Sequence, residues 1–359
     1  FSGVLGIEEY KDIAIYCTYD GELTQGAEYV NGQYTYRYMQ EGEYADSRLV
    51  WQNITSDGWG VQLTDKASTD AVTSKVCTYI NNKPITSMSY MFYGSQATTL
   101  DVSNFNTSNV TNMGFMFFGS KATTLDVSNF NTSNVTEMSD MFYNSQATTL
   151  DLSNFDTSKV TNMGEMFSGS QATTLDLSNF DTSNVTDMSW MFSYSQATTL
   201  DVSNFDTSNV MYMSSMFEES QAPTLDVSNF DTSKVRDMSV MFYNSQATTL
   251  DVSNFNTSNV TEMSAMFYNS QATTLDLSNF DTSKVTDMSS MFKNATNLKT
   301  IYGSSKFVTT AVTRSSSMFS GCTNLVGGAG TKYDSTKTDK TYARIDGGTS
   351  NPGYFTAKN

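Results

Sequence analysis

The stretch of sequence that decides the fold reads Leu-Asp-Leu-Ser-Asn-Phe-Asp-Thr-Ser-Asn-Val-Thr-Asp-Met-Ser-Trp-Met-Phe, from Leu175 to Phe192. Its opening, Leu-Asp-(Val/Leu)-Ser-Asn-Phe, occurs eight times at a constant step of 25 residues, starting at Leu100, Leu125, Leu150, Leu175, Leu200, Leu225, Leu250 and Leu275. A fixed period of this size is typical of stacked repeats, because one short unit buries its apolar face only against neighbouring copies.

Each copy is predicted to contain two elements. From Thr124 to Ser128, polar and apolar residues alternate, which predicts a half-buried strand. The apolar residues that follow are Val135, Met138, Met141 and Phe142. Their steps of 3, 3 and 1 are typical of the apolar stripe of a short helix. The sequence therefore predicts an α/β repeat solenoid, leucine-rich-repeat-like, with one short parallel strand and one short helix in each 25-residue coil.

The residue that follows the predicted helix is usually glycine or asparagine, as at helix ends with left-handed backbone angles. These residues are Gly94, Gly119, Asn144, Gly169, Asn244 and Asn269. Tyr194 and Glu219 stand at the same place in two copies. We expect those two helices to end differently, since bulky residues disfavour left-handed angles.

The sequence on either side of the repeats does not repeat. Residues 1–84 contain β-like runs such as Ile13–Cys17 and a turn signal at Asn31-Gly32, which predict a β-rich N-terminal capping domain. Residues 85–298 form the repeat region, and residues 299–359 are predicted to be a degenerate coil and an irregular C-terminal cap. Cys17 and Cys77 form a disulfide or remain buried thiols, and the sequence leaves both open.

Composition narrows the range of functions. The formal net charge is −17, which disfavours nucleic acid and anionic membranes as partners. No apolar run is long enough to cross a bilayer, so we expect no membrane insertion. The chain has no histidine, and its carboxylates recur in columns without a unique acid–base pair. We therefore expect a protein that is not an enzyme.

The stretch from Leu175 to Phe192 closely resembles the bacterial surface protein repeat of about 25 residues. That family is related to the BspA-type leucine-rich repeats and is also described as a mycoplasma-type protein of unknown function. The resemblance covers residues 85–298 and extends to Thr341–Gly348 near the C-terminus. It implies an extracellular or cell-surface protein with a binding role, for which adhesion is the usual proposal, and it transfers no catalytic residue.

One column of the predicted strands places a carboxylate in every copy. Its members are Asp101, Asp126, Asp151, Asp176, Asp201, Asp226, Asp251 and Asp276. Stacked at roughly 4.8 Å, like charges repel one another. We expect neighbouring Thr and Ser hydroxyls, salt or bound Ca²⁺ to offset this repulsion. The column is therefore either a solvated face or a surface that binds cations or glycans, and we predict no other cofactor.

The residue before each Met-Phe pair varies between copies, and a helical wheel places it away from the apolar stripe. Four of these residues are large aromatic or apolar side chains, namely Tyr90, Phe115, Trp190 and Val240. If exposed, such side chains are candidate partner contacts. Sequence drift on a solvent face and lateral packing between molecules are the alternatives.

We therefore expect an extracellular or cell-surface, non-enzymatic binding protein that acts in adhesion or recognition through the side of the solenoid. Its partner would be a protein or glycan on a host or neighbouring cell. One alternative is a structural protein that self-associates into a filament or surface layer. Another is a phage receptor-binding fibre.

Overall fold

The computed structural model describes residues 14–39 and 57–358. Backbone contacts divide the chain into two compact units, Phe1–Asp181 and Thr182–Asn359. Ile13 of the predicted β-like run lies outside the described residues, as do the other residues of 1–13 and 40–56. The domain boundaries predicted after residues 84 and 298 stay predictions.

The first unit begins with a six-stranded sheet. Its strands are β1 (Tyr16–Cys17), β2 (Glu28–Asn31), β3 (Tyr34–Met39), β4 (Gly58–Leu63), β5 (Tyr79–Ile80) and β6 (Lys83–Ser87). They lie in the order β1-β5-β6-β4-β3-β2. The turn predicted at Asn31-Gly32 lies one residue later, at Gly32-Gln33, because Asn31 still pairs with Tyr34 as β2 and β3 run antiparallel, and Gly32 has a φ of 58°. A disulfide joins Cys17 beside β5 to Cys77.

The repeats contain no helix, so the predicted α/β solenoid with one helix per coil is wrong. Over residues 14–39 and 57–358 the only helical segments are two short 3-10 helices, Lys340–Tyr342 and Gly348–Ser350. None of the helices in these ranges has the length and apolarity needed to cross a membrane. What replaces the predicted helix is a run of overlapping turns.

The first copy shows how these turns are built. The N–H groups of Met91, Tyr93 and Ser95 each donate to the carbonyl three residues earlier. Tyr90 and Gly94, in between, have left-handed φ angles of 61° and 66°. A left-handed residue cannot continue a right-handed helix. Three overlapping turns still place apolar residues at steps of 3, 3 and 1, which is why the spacing imitates a helix.

The alternate N–H groups of the same segment donate to the next copy. In the second copy these donors are Met113, Phe115, Phe117 and Gly119, and their acceptors lie 24 residues later, at Glu137, Ser139, Met141 and Tyr143. The distances between nitrogen and oxygen are 2.7–3.0 Å. Inter-repeat pairing is therefore most regular along the segment that was predicted to be helical.

The segment predicted to be a strand pairs less regularly. Within the described repeats it reaches strand length in only three copies, at β7 (Thr174–Leu175), β8 (Thr199–Leu200) and β9 (Thr274–Asp276). Elsewhere it is irregular or forms single parallel bridges such as Thr99↔Thr124. The predicted strand in every coil is therefore also wrong.

The predicted inward residues do form the core. Leu125, Val127, Val135, Met138, Met141 and Phe142 are all buried. In the second unit the phenylalanine of each Met-Phe pair stacks on its counterpart in the next copy, from Phe192 to Phe292. Ring centroids are 5.7–5.8 Å apart, with planes inclined by 10° or less. The repeat period thus produces continuous columns of apolar contacts within a unit.

Non-repeating segments complete the backbone pairing of the first and last copies. In the first unit, Leu63 of β4 donates to Met91, in the place of a preceding copy. In the second unit, β10 (Thr300–Gly303) lies in parallel between β9 and β11 (Phe355–Ala357). Phe319 donates to Thr338 where another copy would otherwise continue.

Candidate binding surface

The carboxylates of the aspartate column hold the turns of their own repeats. Asp151 Oδ1 accepts from the N–H of Ser153 at 3.0 Å and from its hydroxyl at 2.6 Å. The corresponding serine N–H bonds to the aspartate in all eight copies, Asp101, Asp126, Asp151, Asp176, Asp201, Asp226, Asp251 and Asp276. A side chain that accepts from the backbone two residues later stabilises a tight turn.

At Asp151 these hydrogen bonds outweigh the repulsion from the neighbouring carboxylate. The Ser153 hydroxyl and N–H lower the pKa of Asp151, whereas the neighbouring Asp176 acts weakly to raise it. At this position a serine hydroxyl, one of the three means expected to offset the repulsion, therefore does so. The described residues contain no group of three or more Asp, Glu, Cys or His side chains placed to hold a metal ion.

Other polar columns connect one repeat to the next. The buried Thr132 hydroxyl donates to the carbonyl of Asp156 at 2.9 Å and accepts from its N–H at 2.8 Å. Asn129 Nδ2 donates to three carbonyls of the preceding repeat, those of Val102, Ser103 and Phe105. The side chains of these columns form hydrogen bonds that join one repeat to the next.

A depression of about 460 Å³ lies between two aspartates of the column, Asp201 and Asp226. Pro223 stands beside it, where other copies have threonine. Proline has no N–H to donate to the preceding repeat, which loosens the pairing at this place. Both aspartates still accept from their serines, so the depression is lined by side chains that already serve the turns.

The variable column, in contrast, lies at the corner of a turn. We define the turn ridge as this column, from Tyr90 to Ser290 at 25-residue steps, together with the two residues after each Met-Phe pair. The column has φ angles of 52° to 62° in every copy, so the helical-wheel argument for its direction does not apply. Trp190 is 41% exposed, Phe115 and Val240 are half-buried, and Tyr90 is buried. The expected exposure thus holds for Trp190 and fails for Tyr90.

In the first unit the aromatic residues of the ridge cover one another. Tyr90 stacks on Phe115 with centroids 4.6 Å apart and planes inclined by 4°. Tyr93, Phe118 and Tyr143 form a second stack at 4.6 Å and 4.4 Å. Stacked rings hide much of their faces, so this part of the ridge offers mainly ring edges to a partner.

In the second unit three aromatic residues on or beside the ridge stand exposed. Trp190, Tyr194 and Tyr212 are 41%, 51% and 41% exposed, and they are three of the six exposed large hydrophobic residues among those described. The copy after Trp190 has Ser215 in the same column. Sequence reasoning missed Tyr194 and Tyr212 as candidates, although each differs from the residues at the same position in other copies. Most other copies have glycine or asparagine at the position of Tyr194, and Asn, Asp or Glu at the position of Tyr212.

Two carboxylates lie beside these rings. The N–H of Tyr194 donates to the carbonyl of Glu218 at 2.8 Å. Burial raises the pKa of the Tyr194 phenol, and the charges of Glu218 and Glu219 raise it further. Ser193 donates to the Glu218 carboxylate, and Asn244 to that of Glu219 at 2.7 Å. Exposed rings and oriented carboxylates therefore share one surface.

Comparison with known proteins gives one match. A family model described as Mycoplasma protein of unknown function, DUF285, matches residues 65–177, 145–249, 169–280 and 244–347. The four overlapping stretches span well over half of the chain, which confirms the resemblance carried by Leu175–Phe192. No curated protein matches, and no solved structure does either.

Proposed function

The chain belongs to the family described as Mycoplasma protein of unknown function, and on that premise we propose that it is a non-enzymatic binding protein of the cell surface or extracellular medium. It acts in adhesion or recognition, and its partner is a protein or glycan on a host or neighbouring cell. The exposed aromatic residues of the second unit, Trp190, Tyr194 and Tyr212, form the surface that makes contact.

The observation that carries this proposal is the exposure of Trp190, Tyr194 and Tyr212 on an otherwise uniform scaffold. The aspartate, threonine and asparagine columns are occupied with turns and inter-repeat hydrogen bonds. Exposed aromatic residues are costly to leave in water and are enriched where proteins bind partners. These three residues therefore have the character of a contact surface, and the aspartate, threonine and asparagine columns have that of a scaffold.

Two further observations support the extracellular location and the non-enzymatic role of the proposed protein. The disulfide between Cys17 and Cys77 suits an oxidising compartment, in which such bonds persist. The chain has no histidine, and its aspartates recur as equivalent copies. No unique acid–base pair stands out in the described parts of the chain, which supports a binding role over catalysis.

Arrays of glycans and host-matrix proteins test the proposal, with the labelled full chain as probe. We expect binding that falls at least tenfold in a Trp190→Ser/Tyr194→Asn variant, since loss of exposed aromatic anchors costs about 2 kcal/mol or more. Serine and asparagine occupy these columns in other copies, so both replacements suit the backbone. Phe115→Ser, in the same column of the first unit, is the matched control. Binding that is unchanged in the Trp190→Ser/Tyr194→Asn variant would refute the proposal.

Self-association is the main competing use of the same surface. Size-exclusion chromatography and negative-stain microscopy distinguish the two, because a discrete monomer that binds an array partner excludes a filament or surface layer. The described residues contain no observation that favours a phage receptor-binding fibre.

A further inference from the structure

We infer that the exposed aromatic surface of the second unit docks a basic segment of a partner protein. This surface, which we call the aromatic–acidic surface, consists of Trp190, Tyr194, Tyr212, Glu218 and Glu219. Lysine or arginine side chains of the partner lie over its rings and pair with its carboxylates. The inference rests on the proposed function and specifies the partner.

The five residues lie along one inter-repeat ladder. Four N–H groups of one copy donate to the next at 2.8–3.0 Å. Three of these bonds run from Met188 to Tyr212, from Trp190 to Ser214 and from Tyr194 to Glu218. The ladder fixes two adjacent turns side by side, and each turn contributes at least one exposed ring. The surface is therefore held by the scaffold before a partner arrives.

Charge identifies the partner. Residues 182–233 contain seven carboxylates and no lysine or arginine. The faces of Trp and Tyr attract cations, and the attraction strengthens when the cation is also partly desolvated. This stretch is anionic, contains exposed rings and has no lysine or arginine of its own. It therefore complements a segment that carries lysine or arginine better than it complements a neutral one.

The same ridge already holds a cation over a ring where the sequence supplies one. Lys293 Nζ lies 5.9 Å from the ring centroid of Tyr268, one copy earlier in the ridge. Tyr268 in turn stacks on Tyr243 with centroids 4.4 Å apart. The residues corresponding to Lys293 near Tyr194 are Ser193 and Glu218. Arg236 of the next repeat bonds through its N–H to Met211, beside Tyr212. In the described parts of the chain no lysine or arginine lies over the rings of Trp190, Tyr194 or Tyr212, so a cation on these rings comes from a partner.

The carboxylates favour a basic partner over a neutral sugar. Asn244 holds Glu219, and Ser193 holds Glu218, which fixes both groups beside Tyr194. Burial raises the pKa of Glu218, so the unbound surface carries a partly desolvated acid. A cation that pairs with this acid is favoured, because a desolvated charge gains more from a close opposite charge than a solvated one.

A peptide of alternating lysine and serine serves as the probe, and a peptide with glutamate in place of lysine as its control. Calorimetry on the full chain at low salt should detect the lysine peptide only. We expect binding about tenfold weaker in Trp190→Ser/Tyr194→Asn, which corresponds to the loss of one or two cation–π contacts. Glu219→Asn, an amide found in that column in other copies, should weaken it as well. Phe115→Ser should leave it unchanged.

Equal binding of the lysine peptide to wild type and both surface variants would overturn the inference, since general negative charge would then account for it. Loss of array binding in the Trp190→Ser/Tyr194→Asn variant without any affinity for the lysine peptide would also overturn it, while the proposed function would stand. If the variant changes neither array nor peptide binding, both proposals fail. Far-ultraviolet circular dichroism and melting curves confirm that each variant is folded.

Discussion

Val240 holds a backbone conformation that β-branched residues rarely adopt. Its φ is 62°, in the left-handed region, as for every residue of its column. The turn requires this angle, because the N–H of Val240 donates to Ser264 in the next copy at 2.8 Å. A left-handed L-residue costs roughly 1–2 kcal/mol, and branching at Cβ adds to the crowding. The repeat thus carries local strain at a fixed position.

Replacing Val240 with asparagine should relieve part of that strain. Asparagine tolerates left-handed angles, so we expect the free energy of unfolding to rise by about 1 kcal/mol. Urea denaturation followed by circular dichroism measures the change. Val326→Asn is the control, since Val326 is exposed and is not among the residues with a left-handed φ. An equal gain in the control would show that the backbone angle is not the cause.

Asp346 organises the C-terminal segment. Its carboxylate accepts from the N–H groups of Ala329, Thr331, Gly348 and Gly353 and from the Thr331 hydroxyl. Burial acts to raise the pKa of Asp346, but these donors hold it at about 2. Because this folded-state pKa lies below the unfolded value, the contribution is complete above about pH 4 and is lost as the pH falls towards 2.

Asp346→Asn should therefore destabilise the chain by about 2 kcal/mol at neutral pH, as expected when hydrogen bonds to a buried charge are lost. The difference from wild type should shrink between pH 4 and pH 2. Denaturant titrations at several pH values measure both effects. Asp334→Asn is the control, because the Asp334 side chain is exposed and its carboxylate accepts hydrogen bonds from Thr336, two residues later. A difference that stays constant with pH would contradict this account.

At the scale of the element, the 25-residue period and the inward residues could be predicted, whereas the type of element could not. Val135, Met138 and Met141 are buried as their spacing indicates. The same spacing arises from overlapping turns, and the difference depends on backbone angles. Asp140, with a φ of 56°, stands just before Met141. Apolar periodicity alone carries no signal for such an angle.

The second residue after each Met-Phe pair predicted the backbone angle at its position but not the type of secondary structure. Asn144, Asn244 and Asn269 are left-handed, as predicted. Tyr194 and Glu219 were expected to differ, and this was wrong, since their φ angles are 56° and 55°. The inter-repeat ladder imposes the angle on whatever residue stands there. Tertiary pairing thus overrides residue preference at these two positions.

The buried threonine column offers a test of how repeats are joined. The Thr232 hydroxyl donates to the carbonyl of Asn256 at 2.9 Å and accepts from its N–H at 2.8 Å. Thr232→Val keeps the shape but removes both bonds, so we expect a loss of about 2 kcal/mol in the free energy of unfolding. In the exposed control Thr261→Val, only a 3.3 Å bond to Arg236 is removed, and little should change. Equal effects of the two substitutions would contradict the role of the buried column.

At the scale of the whole molecule, the sequence predicted the family and the apolar columns because both follow from repetition. The aromatic–acidic surface could not be predicted in the same way. Tyr194 and Tyr212 are departures from the repeat, and only coordinates show that they are exposed together with Trp190. Repetition thus identifies the scaffold, and the departures from it indicate where a partner binds.

Interchangeable repeats predict that one copy can be removed whole. Excision of Asp226–Leu250 takes out 25 residues and joins Leu225 to Asp251, which keeps the order of every column. In a stack with nearest-neighbour contacts, stability should fall by about one repeat and one interface, and folding should persist. Circular dichroism and a single cooperative melt would show this. Excision of Asp226–Met238, about half a copy, brings the turns of one repeat against the strand-like segment of another and should abolish folding. A folded half-copy variant, or an unfolded whole-copy variant, would mean that register between neighbouring copies does not hold the second unit together.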